Sequence, residues 1–402
     1  MKKLALVHRL PVYLAGSFFL FIGSSLFAAS STLTDYFYTT GQILPNNFAI
    51  SLSEDVTFND NINEGTRENA HSAWEFNTDV NVDINKTIGY STYGLQGSVG
   101  WNHYHNGNRD SEPDIDLSPY FTFAQDKGNL LLDAGIQYKD ESLSNSDRRF
   151  AKYYDAILRI GYDLNSHERY GMILSTDYQY QYYTDNEFDN NDNAKYGISM
   201  APYYKVSPKT KVGMRLGYER TDYRSNREHD DLDEMYLNLF VNYQIAMKIN
   251  LTAEAGFTRS SYDGGSSEGS TGDDGISPNY RLLLAYQMLS NLAFSLQLSH
   301  EPADSFELGA QGLTQQNKST LGMTWMVNPK LSLVQSVSVF LEDEKTTEMD
   351  TTQYEYDARM NYQLRKQLML HAGYTYSTTH FKYVEDNNFK SNEITLGVSW
   401  TF

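Results

Sequence analysis

Residues 74–84 read Trp-Glu-Phe-Asn-Thr-Asp-Val-Asn-Val-Asp-Ile. Trp74, Phe76, Thr78, Val80, Val82 and Ile84 take every second position, and Glu75, Asn77, Asp79, Asn81 and Asp83 take the others. Successive side chains of an extended chain point to opposite faces, so this stretch has one apolar face and one acidic face. The same period of two returns at Met235, Leu237, Leu239, Val241, Tyr243 and Ile245, and at Leu292, Phe294, Leu296 and Leu298. It returns again at Leu331, Leu333, Val337, Val339 and Leu341, and finally at Ile394, Leu396, Val398, Trp400 and Phe402. No stretch of comparable length has the 3.6-residue period of a helix.

Working outward from Trp74, the alternation predicts eighteen strands, near 48–60, 73–85, 91–104, 115–124, 130–140, 153–164, 171–183, 195–206, 212–223, 234–245, 251–261, 278–288, 292–300, 318–327, 331–341, 353–364, 368–378 and 391–402. Each has about the length with which a tilted strand crosses a bilayer. Long polar connections, at 61–72, 105–114, 141–152, 184–194, 224–233, 262–277, 301–317, 342–352 and 379–390, alternate with short turns. The turns include Asp126-Lys127-Gly128-Asn129, Ser207-Pro208-Lys209-Thr210, Leu289-Ser290-Asn291 and Asn328-Pro329-Lys330. Hydrocarbon leaves no backbone donor a water partner, so strands can cross it only as a closed sheet. The expectation is an all-β fold: a single transmembrane antiparallel β-barrel of about eighteen strands, with short periplasmic turns and long extracellular loops.

The first residues point to the same compartment. Lys2, Lys3 and Arg9 precede an apolar run from Leu10 to about Ile22, and Ser24 to Ala29 supplies small residues for cleavage after Ala28. This predicts a secretory signal peptide over 1–28, a short periplasmic segment over 29–45 and the barrel over 46–402, in the outer membrane of a bacterial cell. The formal net charge of −19 argues against nucleic-acid binding, which needs a basic surface. The absence of Cys excludes disulfides, thiol chemistry and a lipid-modified N-terminal Cys. A mean hydropathy of −0.55 does not argue for a soluble protein, because only alternate strand residues would face lipid.

Aromatic rings cluster at strand ends, as expected of girdles at the two headgroup levels. Trp101, Tyr138, Tyr182, Tyr218 and Tyr376 are assigned to the external girdle, and Tyr162, Tyr204, Tyr243, Tyr286, Trp325 and Tyr362 to the periplasmic one. Trp400 and Phe402 end the chain on its apolar face and resemble the signal read by the barrel assembly machinery. The opposite parity assigns Asp79, Asp83, Asp116, Asp133, Asp155, Arg159, Asp177, Arg215, Glu219, Glu254, Arg281, Glu355, Asp357 and Arg359 to the lumen. Such a lumen favours cations or neutral solutes, or else its charges pair and simply fill the interior. Glu54 breaks the pattern, since it shares the parity of Phe48, Ile50 and Leu52. Either a bulge near Ser53 shifts the register, or the first strand has other ends.

Other chemistry is thinly represented. His103 and His105 lie at the external end of the third strand without a third ligand at clear spacing. The Asp263–Gly275 run is rich in Gly, Ser and acids but lacks a calcium-roll repeat. His300, Glu301, Asp304 and Ser305 have hydrolase residue types without a nucleophile elbow. No enzyme, metal site or cofactor is expected.

The segment from Leu52 to Ile62 resembles the opening strand and loop of the β-barrel porin 2 family, in which an aromatic residue is followed by Asp-Asn and an aliphatic one. Phe58, Asp60, Asn61 and Ile62 match that pattern, with Asn59 intervening. The resemblance implies an eighteen-stranded channel for exopolysaccharide export, partnered by a periplasmic polysaccharide co-polymerase or export protein. Two other readings stand beside it: a general or substrate-selective diffusion porin for cations or sugars, and a structural or adhesive barrel acting through its outer loops. Outer-membrane lipid, lipopolysaccharide, the barrel assembly machinery and a polysaccharide or small solute in the lumen are the expected partners.

Overall fold

A computed structural model describes residues 47–62, 70–105, 111–125, 127–142, 150–165, 169–185, 191–224, 231–245, 248–263, 275–307, 310–344, 350–382 and 388–402. The expected signal peptide and periplasmic segment lie outside them, as does most of the Asp263–Gly275 run.

The chain forms one eighteen-stranded antiparallel sheet closed on itself. Its strands are β1 Asn47–Asn59, β2 Ala73–Ile88, β3 Ser91–His105, β4 Glu112–Gln125, β5 Gly128–Ser142, β6 Phe150–Leu164, β7 Tyr170–Tyr183, β8 Asn193–Ser207 and β9 Thr210–Tyr223. They continue with β10 Asp231–Ile245, β11 Ile249–Asp263, β12 Gly275–Leu289, β13 Leu292–Glu307, β14 Ala310–Asn328, β15 Leu331–Glu344, β16 Thr351–Arg365, β17 Leu368–Phe381 and β18 Phe389–Thr401. Each strand pairs with its sequence neighbours, and β18 pairs with β1 to close the ring.

Parity is conserved around the ring. Starting from Leu52, directly opposite Val80 and Trp400, the pairing carries one set of side chains through every strand to a single outer face. Phe48, Trp74, Val99, Ile198, Leu239, Leu321, Leu396 and Phe402 are exposed there, as lipid contact requires. The inner face is where polar groups are buried, among them Asp79, Asp155, Asp163, Arg215, Asn238 and Thr320.

Several of the short turns share a local device. Register shifts fall at Lys205/Ser207, Gln287/Leu289, Met326/Asn328 and Gln363/Arg365, each just before a short turn. Asn328 Oδ1 accepts the backbone N–H groups of Lys330 (2.8 Å) and Leu331 (3.1 Å), so the side chain replaces ladder bonds that the bulge removes. Gln287 and Gln363 reach their own turn carbonyls, Leu289 O and Arg365 O, in the same way.

Two expectations are corrected. The long loop expected over 301–317 is largely ladder: Glu301 pairs with Gln316 and Glu307 with Ala310, so β13 and β14 run on as a hairpin. Outside the lipid such a hairpin needs backbone pairing but no apolar face, so alternation is no guide to it. At Glu54 no bulge exists. The register runs unbroken from Ser51 to Asn59 against both neighbours, and the strand ends almost where expected. Glu54 therefore stays on the outer face, where its Oε2 accepts a hydrogen bond from Thr78 Oγ1 at 2.7 Å. A directly opposed hydroxyl satisfies the carboxylate without moving the strand.

Candidate functional site

The site is the inner wall. Pairing places all the residues assigned to the lumen on this face: Asp79, Asp83, Asp116, Asp133, Asp155, Arg159, Asp177, Arg215, Glu219, Glu254, Arg281, Glu355, Asp357 and Arg359. The rings assigned to the girdles, from Trp101 to Tyr376, share the outer face instead. Several meet an aromatic partner on the next strand, as Tyr138 does Tyr154 (5.2 Å between centroids) and Tyr204 does Tyr170 (5.1 Å).

Charge is not spread evenly around the inner wall. From β17 through β18 and β1 to β4, the inward acids are Glu393, Asp55, Glu75, Asp79, Asp83, Glu112, Asp114 and Asp116. Among the described residues of these strands no Lys or Arg points inward, and His371 is the one basic side chain that does. Amides and hydroxyls space the carboxylates. Asn77 Nδ2 donates to Asn102 Oδ1 (2.6 Å) and Asp114 Oδ2 (3.2 Å), Asn81 Nδ2 to Ser53 Oγ (2.7 Å), and Gln96 Nε2 to Asp83 Oδ1 (3.4 Å). Asp79 packs against Gly100, where any Cβ would overlap its carboxylate.

The facing wall, β5 to β12, is mixed and ion-paired. Arg159 reaches Asp133 at 3.5 Å, Lys139 reaches Asp155 at 3.5 Å, and Lys195 reaches Glu219 at 2.6 Å. Arg215 on β9 passes over β10 to Glu254 on β11 at 3.4 Å, and Asn238 on β10 donates to the same carboxylate at 2.8 Å. Arg281 lies directly opposite Glu254 on the other side. Rings on this wall lie flat against glycines of the adjoining strand and carry cations above them. Tyr203 covers Gly171, donates to Asp163 at 2.8 Å and has Lys211 Nζ 4.9 Å above its centroid. Phe240 covers Gly213, with the Arg215 guanidinium 6.0 Å from its centroid.

Some inner-face groups escape the sequence assignment. Glu112, Asp114 and Lys211 have inward parity but precede the expected strand starts at 115 and 212, and so fall in connections, whereas Lys318 opens an expected strand and is readable from its parity. Lys139 and His371 carry the inward parity within expected strands and were readable from it.

The other candidates do not assemble into chemistry. Among the described residues no group of three or more His, Asp or Glu side chains is placed to hold a metal. His103 and His105 lie on the outer face, and His103 Nδ1 bonds Ser111 Oγ at 2.7 Å. His300 stacks on Tyr280 (5.4 Å) and bonds Asn317 Oδ1 through Nδ1 at 2.8 Å, also on the outer face. The side chains of Asp304 and Ser305 lie outside the described residues.

Residues 197–402 match the family described as outer membrane protein beta-barrel domain. The chain belongs to that family. It is a protein of the bacterial outer membrane. No curated protein matches it. Among solved structures it is similar to a BenF-like porin from Pseudomonas fluorescens Pf-5, at 11% identity and a TM-score of 0.50, over 89% of this chain and 99% of that one. It is also similar to OccAB2 of Acinetobacter baumannii, at 13% identity and a TM-score of 0.47, over 89% and 98%. A third is OpdK of Pseudomonas aeruginosa, solved with vanillate, at 10% identity and a TM-score of 0.49, over 89% and 99%. At such identities the likeness concerns the fold.

Proposed function

We propose that this barrel is a substrate-selective diffusion channel for small polar solutes, with a preference for those carrying a positive charge. The observation that carries the reading is the segregation of charge on the inner wall. Asp55, Asp79, Asp83, Asp114 and Asp116 stand on strands without an inward Lys or Arg, while Arg159, Lys195, Lys211, Arg215 and Arg281 stand on β6–β12. In a ring of eighteen strands β1 faces β10, so the two walls oppose each other. Opposed walls of unequal charge set up a field across the pore, which favours cations and orients solutes bearing both signs. Barrels of about this strand number are wide enough for an aqueous channel. The shared fold with a solved porin supports the same reading.

Export of an exopolysaccharide is the second reading. It has the resemblance of Phe58, Asp60, Asn61 and Ile62 behind it, and hydroxyl ladders such as Thr57–Thr395 and Thr320–Ser338 (2.9 and 3.0 Å) suit a neutral polymer. The paired and opposed charges favour small solutes. Planar-bilayer reconstitution separates the readings. Stable, cation-preferring pores blocked by small cationic solutes are expected, and a sealed barrel overturns both. Loss of surface polysaccharide on deletion of the gene, with no change in solute uptake, would replace the first reading by the second.

A further inference from the structure

The match that suggested a family, Phe58 to Ile62, has a physical role that transport does not use. β1 ends at Asn59, yet the following residues stay attached to β18. Asp60 donates its backbone N–H to Asn392 O at 3.1 Å. Its carboxylate accepts the Asn392 backbone N–H at 2.6 Å and Asn392 Nδ2 at 2.7 Å. Asn61 Nδ2 donates to Lys390 O at 2.9 Å, and Asn59 Oδ1 accepts both Ser391 Oγ (2.9 Å) and the Asn61 backbone N–H (2.8 Å). Asn61 is 3% exposed and Ile62 6%, although both follow the end of a strand.

We propose that Asn59, Asp60 and Asn61 form a clasp that recognises the opening residues of the last strand, Lys390 to Asn392, and so sets the register in which the barrel closes. Elsewhere in the ring a hairpin links paired neighbours and its turn constrains the register. The β1–β18 seam has no turn, because its strands come from opposite ends of the chain. A slip of two residues would keep every side chain on its proper face, so alternation alone does not forbid it. It would change the stagger that closure requires. Contacts with the side chain and backbone of Asn392, only one strand position from the Asn59–Glu393 pair, do discriminate between such registers. Charge-assisted bonds to a carboxylate are the stronger kind of hydrogen bond, which suits a contact that must offset the closure entropy of a very long loop.

The test uses the mature chain refolded into lipid vesicles, with cysteine pairs that report the seam. Thr57→Cys with Thr395→Cys reads the native register, and Thr57→Cys with Glu393→Cys reads a two-residue slip. With the clasp intact only the first pair should crosslink. Asp60→Ala with Asn61→Ala should slow closure by about tenfold, as expected when a carboxylate's hydrogen bonds are removed, and should bring up the slipped crosslink. Should that variant fail to fold, Asp60→Asn is read in the same way and should show an intermediate loss of the native crosslink. Asp350→Ala, which removes a bonded carboxylate from a connection at the same end of the barrel, should leave the register native. Clasp variants that close at the wild-type rate with only the native crosslink would overturn the proposal, as would a slipped crosslink in Asp350→Ala.

Discussion

Asp55 on β1 and His371 on β17 hydrogen-bond to each other across β18, directly above Gly397. Gly397 lies opposite both residues, and a Cβ there would overlap the Asp55 carboxylate and the His371 ring. The missing side chain is what lets two strands that are not neighbours touch. Gly397→Ala should therefore destabilise the barrel by about 1–3 kcal/mol, the usual cost of overpacking. The temperature at which the folded band is lost on SDS gels measures it. In an Asp55→Ala background the same substitution should cost clearly less, since the contact is already gone. Equal costs in the two backgrounds would refute the account.

Glu54 presents a carboxylate on the outer face, held by the hydroxyl of Thr78 directly opposite on β2. Replacing it by Leu removes a polar group from an apolar face and should stabilise the barrel by about 1–2 kcal/mol, somewhat under the cost reported for basic residues at mid-depth. Thr78→Val in the wild type should do the reverse. Denaturant unfolding from lipid vesicles decides it, and an unchanged midpoint for both variants would count against lipid exposure.

The unequal walls predict shifts of opposite sign in ion preference. Asp79→Asn with Asp83→Asn should move the reversal potential in a salt gradient toward anions. Arg159→Gln with Lys195→Gln should move it toward cations. Shifts in the same direction for both pairs would mean that the walls do not act on permeating ions.

Acid sensitivity has a contribution from the outer rim. Lys382 donates a hydrogen bond to Asp350, and that bond holds the Asp350 carboxyl below its ordinary value. A carboxyl depressed in the folded state adds stability above the ordinary range, about pH 4, and loses it as pH falls through the folded value. Asp350→Asn should thus lose less stability than wild type between pH 7 and pH 3. Identical losses would show that the bond carries no such linkage.

Much of this architecture is legible in the chain itself, and the limits have physical causes. Trp74 to Ile84 declares its two faces because lipid lies on one side and water on the other. Parity then carries Asp79 or Arg281 to the inner wall without knowledge of any contact. The ladder from Glu301–Gln316 to Glu307–Ala310 rests on backbone pairing, which imposes no alternation on side chains, so a paired hairpin reads as a polar loop. Glu54 suggests a bulge because its partner Thr78 belongs to the next strand. The meeting of Arg215 and Glu254 over Asn238 depends on three strands at once, which no local pattern encodes.

The acidic wall has a consequence for biogenesis. Its carboxylates come from β1–β4 at one end of the chain and from β18 at the other, with His371 on β17 at their edge. A nascent barrel lacking its last strands would present only part of this lining, beside a complete mixed wall. Ion discrimination would then mature only when head and tail of the polypeptide meet, and the electrical signature of the pore would report whether its assembly had been completed.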